Sequence, residues 1–360
     1  MKNSYAIIMA GGIGSRFWPV SRTSYPKQFI DLLGTGKTLI QSTYERFLKI
    51  VPPQNIYIVT NENYKNLVKD QLPALDENQI LGEPVMRNTA PCIAYASHKI
   101  HKLNPDASIV VAPSDQLILD PEGFIGDVKK ALLTASNHNC LLTLGVKPSG
   151  PHTAYGYIQY TTHAIEADFY KVKTFTEKPN LDIAKTFIQS GDFLWNAGIF
   201  IWSSKAILEA LERHLRDIND IFKEGVEVFN TPKENSFIQN AYFQCTNISI
   251  DYGILERADN VYVLPTDFGW SDLGNWGSIY SAAEKDYVGN VVIPSEKVMM
   301  YDSSNCMVNV PKNKLVILQG LHDFIVVESN DTILICPRDK ESNLRQIVGD
   351  VKSRFGSEYL

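Results

Sequence analysis

The chain has 360 residues, of which 44% are hydrophobic and 21% are charged. This composition excludes disorder for the bulk of the chain, and the length suits one large domain plus a smaller one. A formal net charge of −6 without a basic run argues against a nucleic-acid partner, although a small phosphorylated ligand needs only a few basic groups.

Export and membrane signals are not evident in the sequence. The apolar run near the N-terminus is too short for a signal peptide, and no stretch approaches about 18 uncharged apolar residues. The five cysteines are scattered without a Cys-x-x-Cys pair, which indicates reduced, buried thiols and neither disulfides nor a zinc site. We therefore expect a cytoplasmic protein with no membrane partner.

The first part of the chain alternates apolar runs with amphipathic stretches. Apolar runs predict strands at 5–10, 56–60, 108–112 and 140–146, and helical spacing predicts helices at 38–50, 90–103 and 124–135. Strands that alternate with helices predict an α/β fold whose mostly parallel sheet is covered on both faces.

The pattern changes further along the chain. Residues 150–285 are richer in aromatic residues, with predicted strands at 155–160, 170–175 and 198–202 and helices at 204–215 and 237–245. Short β-rich pieces then follow at 289–293, 306–310, 314–318, 323–328 and 331–336, before a charged helix at 341–354. Such evenly spaced strands predict a small sheet, barrel or β-helix, and hence two domains over 1–285 and 286–360.

The strongest local signal directly follows the first predicted strand, where residues 10–16 read Ala-Gly-Gly-Ile-Gly-Ser-Arg. Glycines let the backbone approach an anion closely, and Arg16 adds a guanidinium suited to phosphate oxygens. The motif is neither a dinucleotide fingerprint nor a P-loop, because Phe17 and Asp31 stand where those motifs need glycine. A tight turn without a ligand is the alternative interpretation.

A stiff segment follows the glycines, because Pro19 and Pro26 fix the backbone φ angle. Such a segment can hold Lys27 over the glycine-rich loop. Alone, Lys27 would be read as a surface charge, but a cationic pair of Arg16 and Lys27 around the glycines favours phosphate binding.

The run Gly-Gly-x-Gly-Ser-Arg-Phe-Trp-Pro-x-Ser-Arg at 11–22, followed by Pro-Lys-Gln-Phe at 26–29, resembles the mannose-1-phosphate guanylyltransferases. The resemblance implies a Rossmann-like, GT-A-like nucleotidyltransferase domain over 1–285, with a mixed, mostly parallel sheet, and a β-helix-like module over 286–360. It also implies the reaction of GTP with α-D-mannose 1-phosphate to give GDP-mannose and diphosphate. Only the Gly-Gly-x-Gly-x-Arg part is shared with uridylyl-, thymidylyl- and cytidylyltransferases.

The resemblance continues through the Glu-Pro-Val-Met-Arg-Asn-Thr-Ala-Pro segment at 83–91. It implies that Arg16 and Lys27 are catalytic and stabilise charge on the α-phosphate and the leaving diphosphate. The residues implied in nucleotide binding are Ala10, Gly11, Gly12, Gly14, Ser15, Glu83, Arg87, Asn88, Thr89 and Ser114. Guanine presents N–H donors that suit an acidic acceptor, whereas Asn88 and Thr89 are equally good caps for the helix that follows.

Two carboxylates are implied as ligands of Mg²⁺ or another divalent cation. Asp115 follows a predicted strand within Pro-Ser-Asp, where a carboxylate is well placed to hold Mg²⁺ beside phosphate oxygens. Asp272 lies in Trp-Ser-Asp-Leu-Gly-Asn-Trp, and its pairing with Asp115 comes from the resemblance alone. The alternatives are a turn at Asp115 and an N-cap at Ser271 or Asp272.

Further segments resemble those with which the family holds the sugar phosphate. The implied residues are Tyr155, Gly156, Glu177, Lys178, Asn196 and Asp251. Glu177 would accept hydrogen bonds from sugar hydroxyls, Lys178 would neutralise the 1-phosphate, and Asn196 can both donate and accept. The alternatives are an exposed strand end at 177–178 and a helix N-terminus with a Ser249 cap and Asp251 in its first turn.

Other readings are weaker. His98 and His101 lie one helical turn apart and are interpreted as a partly exposed face, since no matched acid or cysteine supports zinc or Ser-His-Asp chemistry. Family members often dimerise through the β-rich segment, so a homodimer is possible. The end at Leu360 leaves no room for the isomerase domain of longer relatives, so we expect a monofunctional enzyme. The rival functions are a nucleotidyltransferase for another nucleotide and sugar phosphate, or a non-catalytic sugar-nucleotide sensor.

Overall fold

The fold is known from a computed structural model, which describes residues 2–294, 296–329 and 331–360. The strands in these residues are β1 Ser4–Ala10, β2 Ile56–Asn61, β3 Ile80–Glu83, β4 Ser108–Pro113, β5 Leu117–Ile118, β6 Leu141–Val146, β7 Gly156–Glu166, β8 Phe169–Glu177, β9 Phe193–Ser203, β10 Val261–Thr266, β11 Trp270–Ser271, β12 Val291–Ile293, β13 Val298–Tyr301, β14 Met307–Asn309, β15 Val316–Gln319, β16 Phe324–Ser329 and β17 Thr332–Pro337. The α-helices are α1 Leu39–Leu48, α2 Lys65–Gln71, α3 Thr89–Leu103, α4 Pro121–Asn137, α5 Leu181–Ser190, α6 Ser204–His214, α7 Arg216–Glu224, α8 Glu234–Gln244, α9 Trp276–Ala282 and α10 Leu344–Phe355.

Internal contacts divide the chain into two compact units. The first unit comprises Met1–Gly11, Tyr44–Ser114 and Ile118–Trp270, and the second comprises Gly12–Thr43, Asp115–Leu117 and Ser271–Leu360. The second unit thus joins the glycine-rich segment to the β-rich C-terminal part. These units are not the two continuous stretches predicted from the sequence, so the division at residues 285–286 stays a prediction.

The first unit is built on a nine-stranded sheet with the order β3-β2-β1-β4-β9-β6-β10-β8-β7. Strands β1 to β4 are parallel neighbours, as are β6 and β10, whereas β8 and β9 run opposite to the other seven strands. The predicted α/β fold with a mixed, mostly parallel sheet is confirmed. The two reversed strands belong to the aromatic middle section, where β7 and β8 are joined directly as an antiparallel pair.

Helix α3 shows why the parallel strands are so apolar. It is buried along most of its length and packs on β1, β2, α6 and α7. Because successive strand side chains point to opposite faces, Tyr5 and Ile7 of β1 join the core around α3, while Ile8 belongs to the other face. Both faces of the strand are therefore covered, as predicted.

The C-terminal part of the second unit is a set of short strands in register. Strands β12, β14 and β16 are parallel, β17 closes this sheet in the antiparallel direction, and β13 pairs in parallel with β15. A small core of Cys306, Val308, Val310, Leu318 and Val326 lies among them. The predicted β-rich module and its terminal helix are confirmed, and β13 is a strand that the prediction missed.

Side-chain burial settles two smaller points. The cysteines are buried free thiols in the structure, as expected. His98, however, is buried and hydrogen-bonded to Asn219, while His101 contacts Ser204, so the prediction of a partly exposed face is wrong for His98. Burial lowers the pKa of His98 to about 4. Among the described residues, no helix is long and apolar enough to cross a membrane.

The second unit should depend on Phe17. This side chain is fully buried, and its ring meets that of Trp276 edge to face at 5.3 Å between centroids. Phe17→Ala should lower the free energy of unfolding by about 3–5 kcal/mol, measured in urea, because it leaves a cavity. Tyr287→Ala, at a residue that is 98% exposed, is the control and should change it by less than about 0.5 kcal/mol. Equal changes in the free energy of unfolding for Phe17→Ala and Tyr287→Ala would contradict the role of Phe17 in this packing.

Candidate functional site

The glycine-rich segment leaves β1 as a loop shaped by Gly14. Gly14 has φ +69°, and a Cβ there would lie 2.7 Å from the Cβ and Cγ of Lys27, so only glycine fits. A 3₁₀ turn over Ser15–Phe17 follows, and Ser21 Oγ donates to the Ile13 carbonyl at 2.8 Å. The loop is therefore held from both sides while Gly12, Ser15 and Arg16 stay exposed.

Lys27 lies beneath this loop with its ammonium group buried. Its Nζ lies 2.9 Å from Asp115 Oδ2 and donates to the carbonyls of Asp272 at 3.3 Å and Leu273 at 3.0 Å. The ring of Phe17 lies 5.6 Å away. We call Lys27, Asp115 and the 272–273 backbone the Lys27 cluster. All of it belongs to the second unit.

Asp272 is held by its own turn, because its Oδ1 accepts a hydrogen bond from Gly274 N at 3.0 Å. The N-cap of α9 is Asn275, whose side chain accepts from Ser278 N. Ser271 and Asp272 therefore do not cap this helix, and the alternative reading of these two residues is wrong. Both predicted metal ligands therefore contact Lys27, Asp115 through its carboxylate and Asp272 through its backbone carbonyl.

The carboxylates of Asp115 and Asp272 have the donor chemistry that suits a Mg²⁺ ion bound together with a phosphorylated ligand. Within the described ranges no group of three or more His, Cys, Asp or Glu residues could hold a metal alone. Mg²⁺ usually takes one or two carboxylates and completes its shell with phosphate oxygens and water. The ammonium of Lys27 already lies against Asp115, which shows that this carboxylate stabilises a positive charge here.

Glu83 ends β3 in the first unit and is buried beside the first glycine. A Cβ on Gly11 would lie 3.4 Å from Glu83 Oε2. Burial raises the pKa of Glu83 to about 8, and the nearby Tyr242 hydroxyl lowers it by a smaller amount. In the described part of the chain, Glu83 Oε1 is buried without a hydrogen-bond partner. A buried carboxyl oxygen of this kind suits a ligand that brings its own N–H donor.

The following residues of the same motif are held in place by backbone contacts. Asn88 has φ +67° and caps α3 by accepting from Thr89 N at 2.9 Å, which confirms the capping alternative. Thr89 Oγ1 accepts from Ile250 N at 2.9 Å, and Arg87 Nε donates to the Tyr242 carbonyl at 3.2 Å. The start of α3 is thereby tied to the segment that carries Asp251.

Four of the residues implied in sugar binding come together in the first unit, and we call them the Asp251 cluster: Gly156, Glu177, Asn196 and Asp251. Asn196 Nδ2 donates to Asp251 Oδ1 at 2.8 Å, and Gly156 pairs with Glu177 across β7 and β8. A Cβ on Gly156 would lie 2.4 Å from Glu177 Oε2. Burial and the Glu177 charge raise the pKa of Asp251 to about 6.

The remaining predicted residues lie around these groups. Lys178 is exposed, has φ +47° and forms an ion pair with Glu177. The Tyr155 ring packs edge to face on Trp195 and Trp270, with centroids 5.0 and 5.1 Å apart. At the strand ends, the Ala10 carbonyl accepts from Thr60 Oγ1 and Ser114 N donates to the Met9 carbonyl.

Some contributors were missed by sequence reasoning. Tyr242 lies beside Glu83, and Thr143 donates to Asn196 Oδ1 at 3.2 Å. Thr143 lies in an apolar strand and Tyr242 in a mixed polar and apolar helix, and no local pattern marks either residue. Glu341 accepts from the amides of Trp276 and Gly277 at the start of α9. It sits in a charged segment that reads as a surface, which is why its sequence context gives no signal.

Comparison with known proteins agrees with the motifs. The nucleotidyl transferase family matches residues 5–288, and the MannoseP isomerase/GMP-like beta-helix domain matches residues 296–351. The chain is 35% identical to the alginate biosynthesis protein AlgA of Pseudomonas aeruginosa over 98% of its own length and 73% of that protein. It is also 35% identical to a mannose-1-phosphate guanylyltransferase of Escherichia coli K12, over 97% and 73% of the two chains.

A solved structure is similar over nearly the whole chain. It is described as a mannose-1-phosphate geranyltransferase from Thermus thermophilus, with a TM-score of 0.87 and 29% identity. The similarity covers 97% of this chain and 99% of that one. Together with the matched family regions and the motifs at 11–29, 83–91 and 270–276, these similarities establish that the chain belongs to the mannose-1-phosphate guanylyltransferase family of nucleotidyl transferases.

Proposed function

We propose that the protein catalyses the reaction of GTP with α-D-mannose 1-phosphate to give GDP-mannose and diphosphate. An oxygen of the sugar phosphate attacks the α-phosphorus of GTP, and the bond from that phosphorus to the β-phosphate bridging oxygen breaks. Diphosphate leaves with the electron pair of that bond. No general base is needed, because the attacking phosphate is already ionised near pH 7.

The observation that carries this proposal is the convergence of the Asp115 carboxylate and the carbonyls of Asp272 and Leu273 on the ammonium group of Lys27. Two polyanions must approach each other in this reaction, so charge neutralisation and positioning are its main catalytic needs. Lys27 supplies a cation whose position is fixed by Asp115 and two carbonyls. We assign to Lys27 and the exposed Arg16 the stabilisation of charge on the α-phosphate and the leaving diphosphate, and to the backbone of 11–15 the binding of the triphosphate.

Asp115 and Asp272 are the residues that would hold Mg²⁺. When bound, this ion would neutralise phosphate charge and polarise the α-phosphoryl oxygen. Ser114, directly before Asp115, is assigned to nucleotide binding.

The base is assigned to the first unit. Glu83 Oε1 would accept from guanine N–H groups, which would give this buried oxygen the partner that it lacks among the described residues. Arg87, Asn88 and Thr89 would complete the nucleotide contacts, with Arg87 oriented by the Tyr242 carbonyl. Adenine offers a different donor and acceptor pattern, so Glu83 would favour guanine.

The sugar phosphate is assigned to the Asp251 cluster, with Tyr155 and Lys178 beside it. Asp251 and Glu177 provide carboxylate acceptors for sugar hydroxyls, and Asn196 provides an amide that can both donate and accept. Lys178, paired with Glu177, would neutralise the 1-phosphate. A catalytic domain at 1–285, a β-helix-like module at 286–360 and a homodimer remain parts of this proposal.

The test is diphosphate release by the purified protein with mannose 1-phosphate and Mg²⁺. GTP, ATP, UTP, CTP and dTTP are supplied in turn, and a control omits the sugar phosphate. We expect release with GTP that disappears without mannose 1-phosphate. Release mainly with UTP or dTTP would keep the mechanism but contradict the assignment of guanine. If folded protein released no diphosphate with any of these nucleotides, and none with other sugar phosphates, the result would favour a non-catalytic sensor.

The buried carboxyl group of Glu83 should make stability depend on pH. A pKa raised from the usual 4.5 to about 8 means that the folded protein keeps a proton that the unfolded chain releases. The contribution of protonated Glu83 to the free energy of unfolding is fully present below pH 4.5 and is lost as the pH rises through about 8. Glu83→Gln, which cannot ionise, should lose less unfolding free energy across this window than the wild type, and should bind GTP more weakly.

The matched control is Glu77→Gln, at an exposed glutamate shortly before the same strand. Its unfolding free energy, measured in urea between about pH 4.5 and about pH 8, should follow that of the wild type. A Glu83→Gln profile that also follows the wild type would contradict the buried, protonated state of this carboxyl group.

A further inference from the structure

Glu341 connects the β-rich C-terminal module to the start of α9. It follows β17 in a 3₁₀ segment, and its carboxylate accepts hydrogen bonds from the backbone amides of Trp276 and Gly277, the latter at 3.1 Å. These are the first two amides of α9, which have no partner within the helix itself. A carboxylate is also the group that the positive end of a helix favours.

Helix α9 begins directly after the loop that carries Asp272. Asn275 caps the helix, and the carbonyls of Asp272 and Leu273 receive the hydrogen bonds of Lys27. The position of these carbonyls therefore depends on where α9 begins. Glu341 lies 65 residues beyond Trp276 in the sequence and binds the first amide of α9. A contact made by the C-terminal module can therefore affect the position of the carbonyls in the Lys27 cluster.

Two more contacts tie the C-terminal module to the segment after the glycines. Arg22 forms an ion pair with Asp331, and its Nη2 also donates to the Thr332 hydroxyl at 3.3 Å. Trp18 Nε1 donates to the Tyr359 carbonyl at 2.7 Å. Trp18 and Arg22 belong to the motif that resembles the family, yet they bind the module. All these residues belong to the second unit.

We propose that Glu341 is a positioning residue for the Lys27 cluster, which makes the C-terminal module part of the catalytic machinery. By holding the Trp276 and Gly277 amides, Glu341 fixes the loop at 271–275, and thereby the Asp272 carboxylate and the carbonyls that receive Lys27. The inference rests on the proposed function, because it concerns turnover.

The test compares Glu341→Ala and Glu341→Gln with the wild type in the GTP and mannose 1-phosphate assay. We expect Glu341→Ala to lower kcat about ten- to a hundredfold, since misplacing a catalytic group by about 1 Å has effects of this size. The KM for mannose 1-phosphate should stay unchanged, and the Mg²⁺ concentration for half-maximal rate should rise. Glu341→Gln keeps an acceptor oxygen and should recover most of kcat, and it also serves if the alanine variant does not fold.

The matched control is Glu328→Ala, which removes another carboxylate of the same module. Glu328 is nearly buried in β16 and forms an ion pair with Lys314. This variant should lower the melting temperature and leave kcat and the Mg²⁺ dependence unchanged. Equal losses of kcat in the Glu328 and Glu341 variants at equal melting temperature would reduce Glu341 to a stability role and overturn the inference.

Hydrogen exchange gives a readout that does not depend on turnover. The Trp276 and Gly277 amides should exchange faster in Glu341→Ala than in the wild type, with little change in β14 and β16. Unchanged exchange, or faster exchange with wild-type kcat, would overturn the positioning role. A wild type that releases no diphosphate would instead contradict the proposed function, and the exchange experiment would still report whether Glu341 holds α9.

Discussion

The buried ammonium group of Lys27 is the constraint on which the candidate site depends. A buried charge is costly unless it is paired and hydrogen-bonded, and here Asp115 and the carbonyls of 272 and 273 satisfy it. These partners come from distant parts of the sequence, so the fold must hold three segments together around one side chain. Gly14 is the fourth requirement, because any Cβ at that position would collide with Lys27.

The chain passes between its two compact units inside three of its motifs, after Gly11, after Ser114 and after Trp270. The groups assigned to the base and the sugar belong to the first unit. The cation and the carboxylates assigned to phosphate and Mg²⁺ belong to the second, together with the C-terminal module. This division gives the module a physical reason to affect chemistry, since it shares a unit with the Lys27 cluster and contacts it through α9.

Local signals in the sequence predicted most of the sheet and the motifs, but not the pairings. The parallel strands β1, β2, β4 and β6 were predicted because both of their faces are buried, which leaves continuous apolar runs such as that of β1, whereas the parallel strands β3 and β10 were missed. Helix α7 was missed because Arg216–Glu224 is mostly polar. Spacing could not pair Asp115 with Asp272 or place Glu341 at α9, since such contacts exist only after folding. Asn88 shows that a cap and a predicted binding residue can be the same side chain.

The most direct test of the central claim is a double-mutant cycle on kcat between Lys27→Met and Asp115→Asn, with GTP, mannose 1-phosphate and Mg²⁺ saturating. Each single change removes one member of a cluster that acts as a unit, and each should lower kcat by about 10²–10³. The account predicts that the double variant is scarcely slower than the worse single variant, because losing either group already displaces the other. Losses that multiply would show that Lys27 and Asp115 act independently and would contradict the account.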